Sequence, residues 1–155
     1  ENDAPMLMIC GLYQLFGRSF RTGAGETLSG IGIFDLETVA GTERLIGNIV
    51  TESPELGRIV GYENHSGLTH LGAGQEPFGR VISGAGNDGQ DGTEGAVTRE
   101  VIGTYLHGSL LPKNPAVADH LIATAVRRRY AHGTLEPLND LLAEKAREVA
   151  ASRPR

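Results

Sequence analysis

The stretch MLMICGLYQLFG, from Met6 to Gly17, restricts the fold more than any other part of the chain. An apolar run of four residues ends directly on the only cysteine, and the cysteine is followed directly by glycine. Read locally, Met6 to Ile9 form a buried strand, Cys10 sits on a tight strand-to-helix turn, and Tyr13 to Phe20 begin the helix behind it. Such a turn places a sulfur at the carboxyl edge of a sheet, beside a helix N-terminus whose dipole favours the thiolate. The same residues also fit a small buried hydrophobe at the end of a core strand. On local pattern both readings stand.

The rest of the composition sets the surroundings. A chain of 155 residues with 39% hydrophobic and 21% charged residues has enough material for one domain with its own core. No apolar run approaches the roughly 18 residues that span a bilayer. A single cysteine makes no internal disulfide, and no signal-peptide pattern opens the chain, so a reducing cytoplasm is the expected setting. The net charge of -5 argues against nonspecific nucleic-acid binding. Only ENDAP precedes the first strand, so the reading expects either an N-terminally truncated domain or one completed by another chain.

Leu28 to Val60 reads as short strands punctuated by glycine, and ISGAGNDGQDGTEG, residues 82–95, as the longest turn-rich stretch. REVIGTYLHG has the β-branched and aromatic content of a buried strand ending near His107. NPAVADHLIATAVRRRYAHG reads as a helix with Asn114 as N-cap, Pro115 at its first position, and Ala118, Leu121, Ile122, Ala125 and Val126 on one face. Arg127 to Arg129 form its cationic last turn and Gly133 stops it. A second amphipathic helix is expected from near Pro137, using Leu138, Leu141, Leu142 and Val149.

GAGNDG matches a dinucleotide-binding glycine pattern, but QDGTEG follows it where a helix is required, so cofactor binding is not expected there. Asp88 and Asp91 are out of register with a calcium loop and read as a solvated turn. A cysteine nucleophile needs a base brought close by the fold. His70, His120 and His132 fall in segments that read as loop or exposed helix. His65 in GYENHSG and His107 in GTYLHGS remain, and His107 is placed by its strand at the same sheet edge as Cys10.

CGLYQLFG resembles the nucleophile turn of class I glutamine amidotransferases of the cobyric acid synthase type. GIGIFDLET, RLIGNIVTES, GYENHSG, GAGNDGQDGTEG and GTYLHGSLLPKNPAVADHLI narrow the resemblance to the glutaminase subunits of lipid II isoglutaminyl synthases, in the expected order from about Met6 to His132. The resemblance implies an α/β fold of the class I glutamine amidotransferase (flavodoxin-like) kind, a sheet flanked by helices and here lacking its N-terminal strands. It implies Cys10 as nucleophile, His107 as base, the Gly11 N–H as oxyanion donor, and Gln14 and Arg44 as substrate-binding residues. Tyr62, Glu63, Asn64 and His65 would line the site.

The implied activity is hydrolysis of glutamine through a γ-glutamyl thioester. The ammonia would pass to a Mur ligase-like, ATP-using partner that amidates the stem-peptide glutamate of lipid II. No phosphate loop, metal cluster or cofactor is expected in this chain, in keeping with ATP chemistry on the partner. Met8 and Leu12 stand where broader relatives keep glycine, and Ser109 where many keep a glutamate that orients the histidine. The resemblance then implies an aspartate from the partner as the third member. Two other readings remain open: the amidase domain of a cobyrinate or cobyric acid amidating enzyme, and a non-catalytic subunit that docks a partner.

Overall fold

The computed structural model describes residues 4–153. In chain order the elements are β1 (Met6–Ile9), α1 (Gly11–Leu15), β2 (Ser19–Arg21), β3 (Thr27–Ser29), β4 (Leu36–Ser53) and β5 (Gly57–Leu71). They continue with β6 (Gly79–Ser83), β7 (Thr93–Glu94), β8 (Ala96–Thr98), β9 (Val101–Thr104), α2 (Leu110–Lys113), α3 (Pro115–Tyr130) and α4 (Leu141–Ser152). The class is α/β, with sheets flanked by helices.

Two sheets carry the fold. The smaller has the order β1-β9-β8, with β1 and β9 parallel and β8 antiparallel to β9. The larger runs β3-β2-β4-β6-β7, and β5 pairs with β4. Where the sequence reads as short strands between Leu28 and Val60, the structure forms a long hairpin, β4 and β5, interrupted by an irregularity between Ala40 and Leu45. The glycines do not break these strands because cross-strand partners satisfy the backbone along almost the whole length. The hairpin closes through Pro54, Glu55 and Leu56, and Gly57 adopts φ 67°, the left-handed position that such a three-residue loop needs.

The strand at Met6–Ile9 and the turn at Cys10 form as expected, but the following helix does not extend to Phe20. α1 stops at Leu15, and Phe20 lies in β2. The carbonyls of Leu15 and Phe16, which a longer helix would bond internally, instead accept the N–H groups of Ile31, Ile33 and Phe34. Tertiary pairing therefore ends the helix.

Helix α3 begins where Asn114 and Pro115 place it and ends in the three arginines. Its inward face differs from the expected one. Val117 and Thr124 are buried with Leu121 beside them, while Ile122 and Ala125 are exposed. Asn114 stands at the N-cap position without bonding the helix amides. Its side chain accepts the Val60 N–H at 2.9 Å and donates to the Val60 and Leu110 carbonyls, pinning the helical region to β5. The residue in the left-handed conformation after α3 is Ala131, two positions before Gly133. α4 starts at Leu141, later than expected, and leaves Leu138, Leu141, Leu142 and Val149 exposed. No helix among the described residues is long and apolar enough to cross a membrane.

Two apolar clusters fix the sheets to their neighbours. Ile49, Ile59, Phe78, Ile102, Leu106, Leu110 and Val117 join the hairpin to β9 and the helices. Tyr13, Phe34, Leu36, Ala96 and Tyr105 form the second cluster beneath the Cys10 turn, with Tyr13 edge-on to both Phe34 and Tyr105.

Candidate active site

Cys10 has φ 56° and ψ -111°, a backbone state that a residue with a side chain adopts at a cost of about 1–3 kcal/mol. Two hydrogen bonds hold it there. Its N–H donates to the Thr104 carbonyl at 2.9 Å, and its carbonyl accepts the Gln14 N–H at 3.0 Å. The turn is therefore clamped between the end of β9 and the first turn of α1. With only five residues, α1 supplies little more than one turn of aligned peptides, less dipole than the longer helix read from the sequence. Gly11 opens that helix, is exposed, and has no atom within 4 Å of where a Cβ would stand. The first amides of a helix have no partner within it, so the Gly11 N–H, next to Cys10 in the chain, is not used by α1 itself.

His107 follows β9 and is fixed by its N–H, which donates to the Tyr62 carbonyl at 2.7 Å. The register of the parallel pair sets Ile9 against Thr104, so the segments bearing Cys10 and His107 leave the same edge. The ring of His107 is partly buried, and burial lowers its pKa from the usual 6.5, favouring the neutral imidazole at pH 7. Its Nε2 is buried without a hydrogen-bond partner among the described residues. Ser109, two residues on, is exposed and in a left-handed conformation.

Gln14 lies one turn past Cys10 and donates from Nε2 to the Tyr105 hydroxyl at 3.1 Å. With Gly11, Leu15, Phe20, Leu28, Ser29 and Gly30 it lines a cleft of about 260 Å³. Arg44 is elsewhere: it is exposed on β4, its Nε donating to Asn64 Oδ1 at 2.6 Å, and it is not among the residues lining this cleft. Cys10 and His107 thus follow the same end of the paired strands β1 and β9, Gly11 and Gln14 line the cleft beside α1 while Cys10 and His107 are not among its lining residues, and Arg44 stands apart on the hairpin.

The four residues Tyr62 to His65 divide their work. Tyr62 anchors the His107 backbone and Asn64 holds Arg44. His65 is buried, stacks on Tyr105 at 3.5 Å with rings 3° from parallel, and donates from Nδ1 to the Gly67 carbonyl. That contact makes it a packing group of the core. Glu63 is fully buried, and its two oxygens accept the N–H groups of Ala85 and Gly86, each at 2.8 Å. This explains GAGNDG: the loop's amides face an anion, and that anion is the chain's own carboxylate. Asp88 and Asp91 cap their own turn, Asp91 exposed as expected of a solvated loop but the Asp88 side chain only 12% exposed. His70, read as a loop residue, lies exposed on β5 within 3.5 Å of Asp88.

Sequence reading missed two buried groups that support the site. Asn87 accepts the Tyr13 hydroxyl and the Gly95 N–H on its oxygen, and donates to Thr93 and to the Gly95 carbonyl. Glu94 accepts the Tyr105 N–H at 2.7 Å and the Thr104 hydroxyl at 2.9 Å, bracing the segment between the Cys10 clamp and His107. Acidic residues in a glycine-rich stretch give no sequence signal of burial.

Burial raises the Glu94 pKa from 4.5 to about 8, against the downward pull of its hydrogen bonds. A carboxyl whose folded pKa is raised contributes stability below its unfolded pKa and loses that contribution as pH rises through the folded value. The melting temperature should therefore fall between about pH 4.5 and 8 by more in the wild type than in Glu94→Gln. Thermal melts across that window read the difference directly. Equal slopes for the two proteins would show that Glu94 is ionised in the fold.

Residues 1–115 match the profile of the CobB/CobQ-like glutamine amidotransferase domain. The chain is 44% identical over 129 residues to the GatD subunit of the glutamine-hydrolyzing lipid II isoglutaminyl synthase of Staphylococcus aureus, covering 83% of this chain and 52% of that protein. The corresponding Streptococcus pneumoniae subunit is 33% identical over 151 residues, covering 96% of this chain and 58% of that protein. A cobyric acid synthase of Pelotomaculum thermopropionicum is 35% identical over 149 residues, covering 85% and 28%. The crystal structure of a glutamine amidotransferase from Thermotoga maritima aligns with a TM-score of 0.34 and 18% identity, covering 75% of this chain and 50% of that one. The chain spans about half the length of the two GatD relatives it matches.

Proposed function

The chain belongs to the CobB/CobQ-like glutamine amidotransferase domain family, and from that premise we propose that it is a single amidotransferase domain serving as a glutaminase. It hydrolyses glutamine in the cytoplasm and supplies ammonia to a Mur ligase-like, ATP-using partner that amidates the stem-peptide glutamate of lipid II. The observation that carries this reading is Cys10 on a strained strand-to-helix turn, clamped to the end of the parallel strand that leads to His107. Identity to the lipid II subunit of Staphylococcus aureus, 44% against 35% for the cobyric acid synthase, favours the cell-wall acceptor.

In this reading glutamine occupies the cleft lined by Gly11 and Gln14. His107, neutral at pH 7, takes the proton of the Cys10 thiol as Sγ attacks the side-chain carbonyl carbon. Negative charge gathers on the carbonyl oxygen, and the N–H of Gly11, an amide of the first helical turn, stabilises it. As the C–N bond breaks, imidazolium returns its proton to the leaving nitrogen, and ammonia departs. The γ-glutamyl thioester is then attacked by water, whose proton goes to His107 and on to the departing sulfur, releasing glutamate. Arg44, which does not line this cleft, would reach the substrate only from the hairpin, where its Nε is bonded to Asn64. The group that orients His107 is an aspartate of the partner, since Ser109 replaces the acid that many relatives carry.

Labelling tests the assignment. Diazo-oxo-norleucine, which presents an electrophile in a glutamine-like frame, should modify Cys10 and be competed by glutamine, with the adduct located by peptide mass spectrometry. Modification at another residue, or none in folded protein, removes Cys10 from the mechanism and leaves a docking role for the chain.

A further inference from the structure

Tyr105 is fully buried, yet its hydroxyl lies in a chain of polar groups that ends at the cleft. Gln14 Nε2 donates to the phenolic oxygen at 3.1 Å, Thr69 Oγ1 stands 2.6 Å from it, and Thr38 Oγ1 lies 2.8 Å from Thr69. Thr38 and Thr69 are buried as well. A phenol has one proton to give. With Gln14 donating into the oxygen, that proton goes to the threonine pair, and the Gln14 amide is left with its oxygen turned away from Tyr105. Burial raises the phenol's pKa to about 12, so the hydroxyl stays protonated at working pH.

The backbone makes room for this arrangement. A Cβ at Gly67 would run into Gln14 Nε2 and stand 3.2 Å from the Tyr105 hydroxyl. Ring contacts immobilise the phenol from its faces and edge: His65 stacks on it, and Tyr13 meets it at 78°. Its backbone N–H is held by Glu94. Nothing in the proposed chemistry uses Tyr105, and so much fixation of one hydroxyl calls for a purpose.

We propose that Tyr105 is a positioning residue for substrate selection: through Thr69 and Thr38 it holds the Gln14 amide with nitrogen inward and oxygen toward the cleft, where it accepts from the amide of glutamine and disfavours the carboxylate of glutamate. A carbonyl oxygen meets an N–H donor favourably and a second anionic oxygen unfavourably. The device therefore separates substrate from product, which differ only in that group. The inference rests on the reading of Gln14 as a substrate-binding residue.

The test compares Tyr105→Phe, Gly67→Ala and Gln14→Ala in the assembled enzyme, reading KM and kcat for glutamine and the inhibition constant for glutamate. Tyr105→Phe keeps the ring and frees the amide to turn. KM should rise about 5-fold, the size of one neutral hydrogen bond, with kcat within about 2-fold. Glutamate should inhibit relatively better. Gly67→Ala, whose Cβ would run into Gln14 Nε2 and Thr38 Cγ2 and crowd the Tyr105 hydroxyl at 3.2 Å, should shift KM and inhibition in the same direction. If Gln14→Ala raises KM while both other variants leave KM and glutamate inhibition unchanged, Tyr105 does not position the amide and the proposal is overturned. If Gln14→Ala also leaves KM unchanged, the substrate-binding role of Gln14 is what fails. A fall in kcat alone for Tyr105→Phe overturns the proposal too, by tying the phenol to the chemical step.

Discussion

Cys10→Ser is expected to lower glutamine hydrolysis by at least about 1000-fold, because removing the nucleophile of a covalent mechanism leaves only binding and oxyanion stabilisation. Serine is the stringent replacement. It is close in size, occupies the same strained backbone, and leaves the bonds from the Cys10 N–H and carbonyl in place, since both are main-chain. What changes is the attacking atom. An alkoxide needs a far stronger base than a thiolate, and a neutral imidazole with lowered pKa is poorly matched to make one. Amidation driven by free ammonia should continue in the assembled enzyme, because the acceptor site requires only ammonia. Glutamate release with glutamine, and product formation with ammonium chloride, separate the two. Loss of both would assign Cys10 a structural role.

His107→Ala should cost about 100-fold or more in glutamine turnover, the scale of general acid–base catalysis. His65→Ala is the control, and the structure shows why. His65 is sealed between Tyr105 and the Gly67 carbonyl, so its loss leaves a cavity and an unsatisfied carbonyl, and the variant melts lower. Its turnover per folded molecule should change by much less than that of His107→Ala, with KM moving more than kcat. The pH profile adds a second check. Burial pulls the His107 pKa below 6.5, so the acid limb of kcat/KM in the wild type should also lie below 6.5. Equal losses of turnover at the two histidines would mean that the base has been misassigned.

The strand, turn and helix start around Cys10 were readable before any coordinates because they are local. An apolar run, a cysteine and a glycine specify strand, turn and helix start within a dozen residues, and TYLHGS specifies a strand end in the same way. Asn114-Pro115 likewise marks the start of α3. The failures have one physical origin, which is that distant backbone or side chains took over a local preference. α1 stops early because residues 31–34 claim its carbonyls. The glycines of β4 and β5 read as breaks, yet each strand is completed by the other. Glu63, expected to line the site, and Glu94, which the sequence does not single out, are each buried against donors remote in sequence or supplied by another segment. Arg44, which the resemblance implies at the substrate, lies on the hairpin bonded to Asn64, within the irregularity between Ala40 and Leu45.

The clamp from the Cys10 N–H to the Thr104 carbonyl also has a meaning in time. Among the described residues, the only strand that pairs with β1 is β9, so the backbone of Cys10 is braced by residues made long after it. During synthesis Cys10 leaves the ribosome with no Thr104 to bond, and its unsupported turn relaxes to an ordinary, unstrained conformation. The closure of β1 on β9 joins segments some ninety-five residues apart (Met6 with Val101), whereas β4 and β5 pair across a three-residue loop, and pairing across a longer loop costs more chain entropy. Chemical competence is thus a late property of the chain, acquired only when its two distant strands meet. A nascent or partly unfolded molecule carries the thiol without the turn that the proposed attack on glutamine requires.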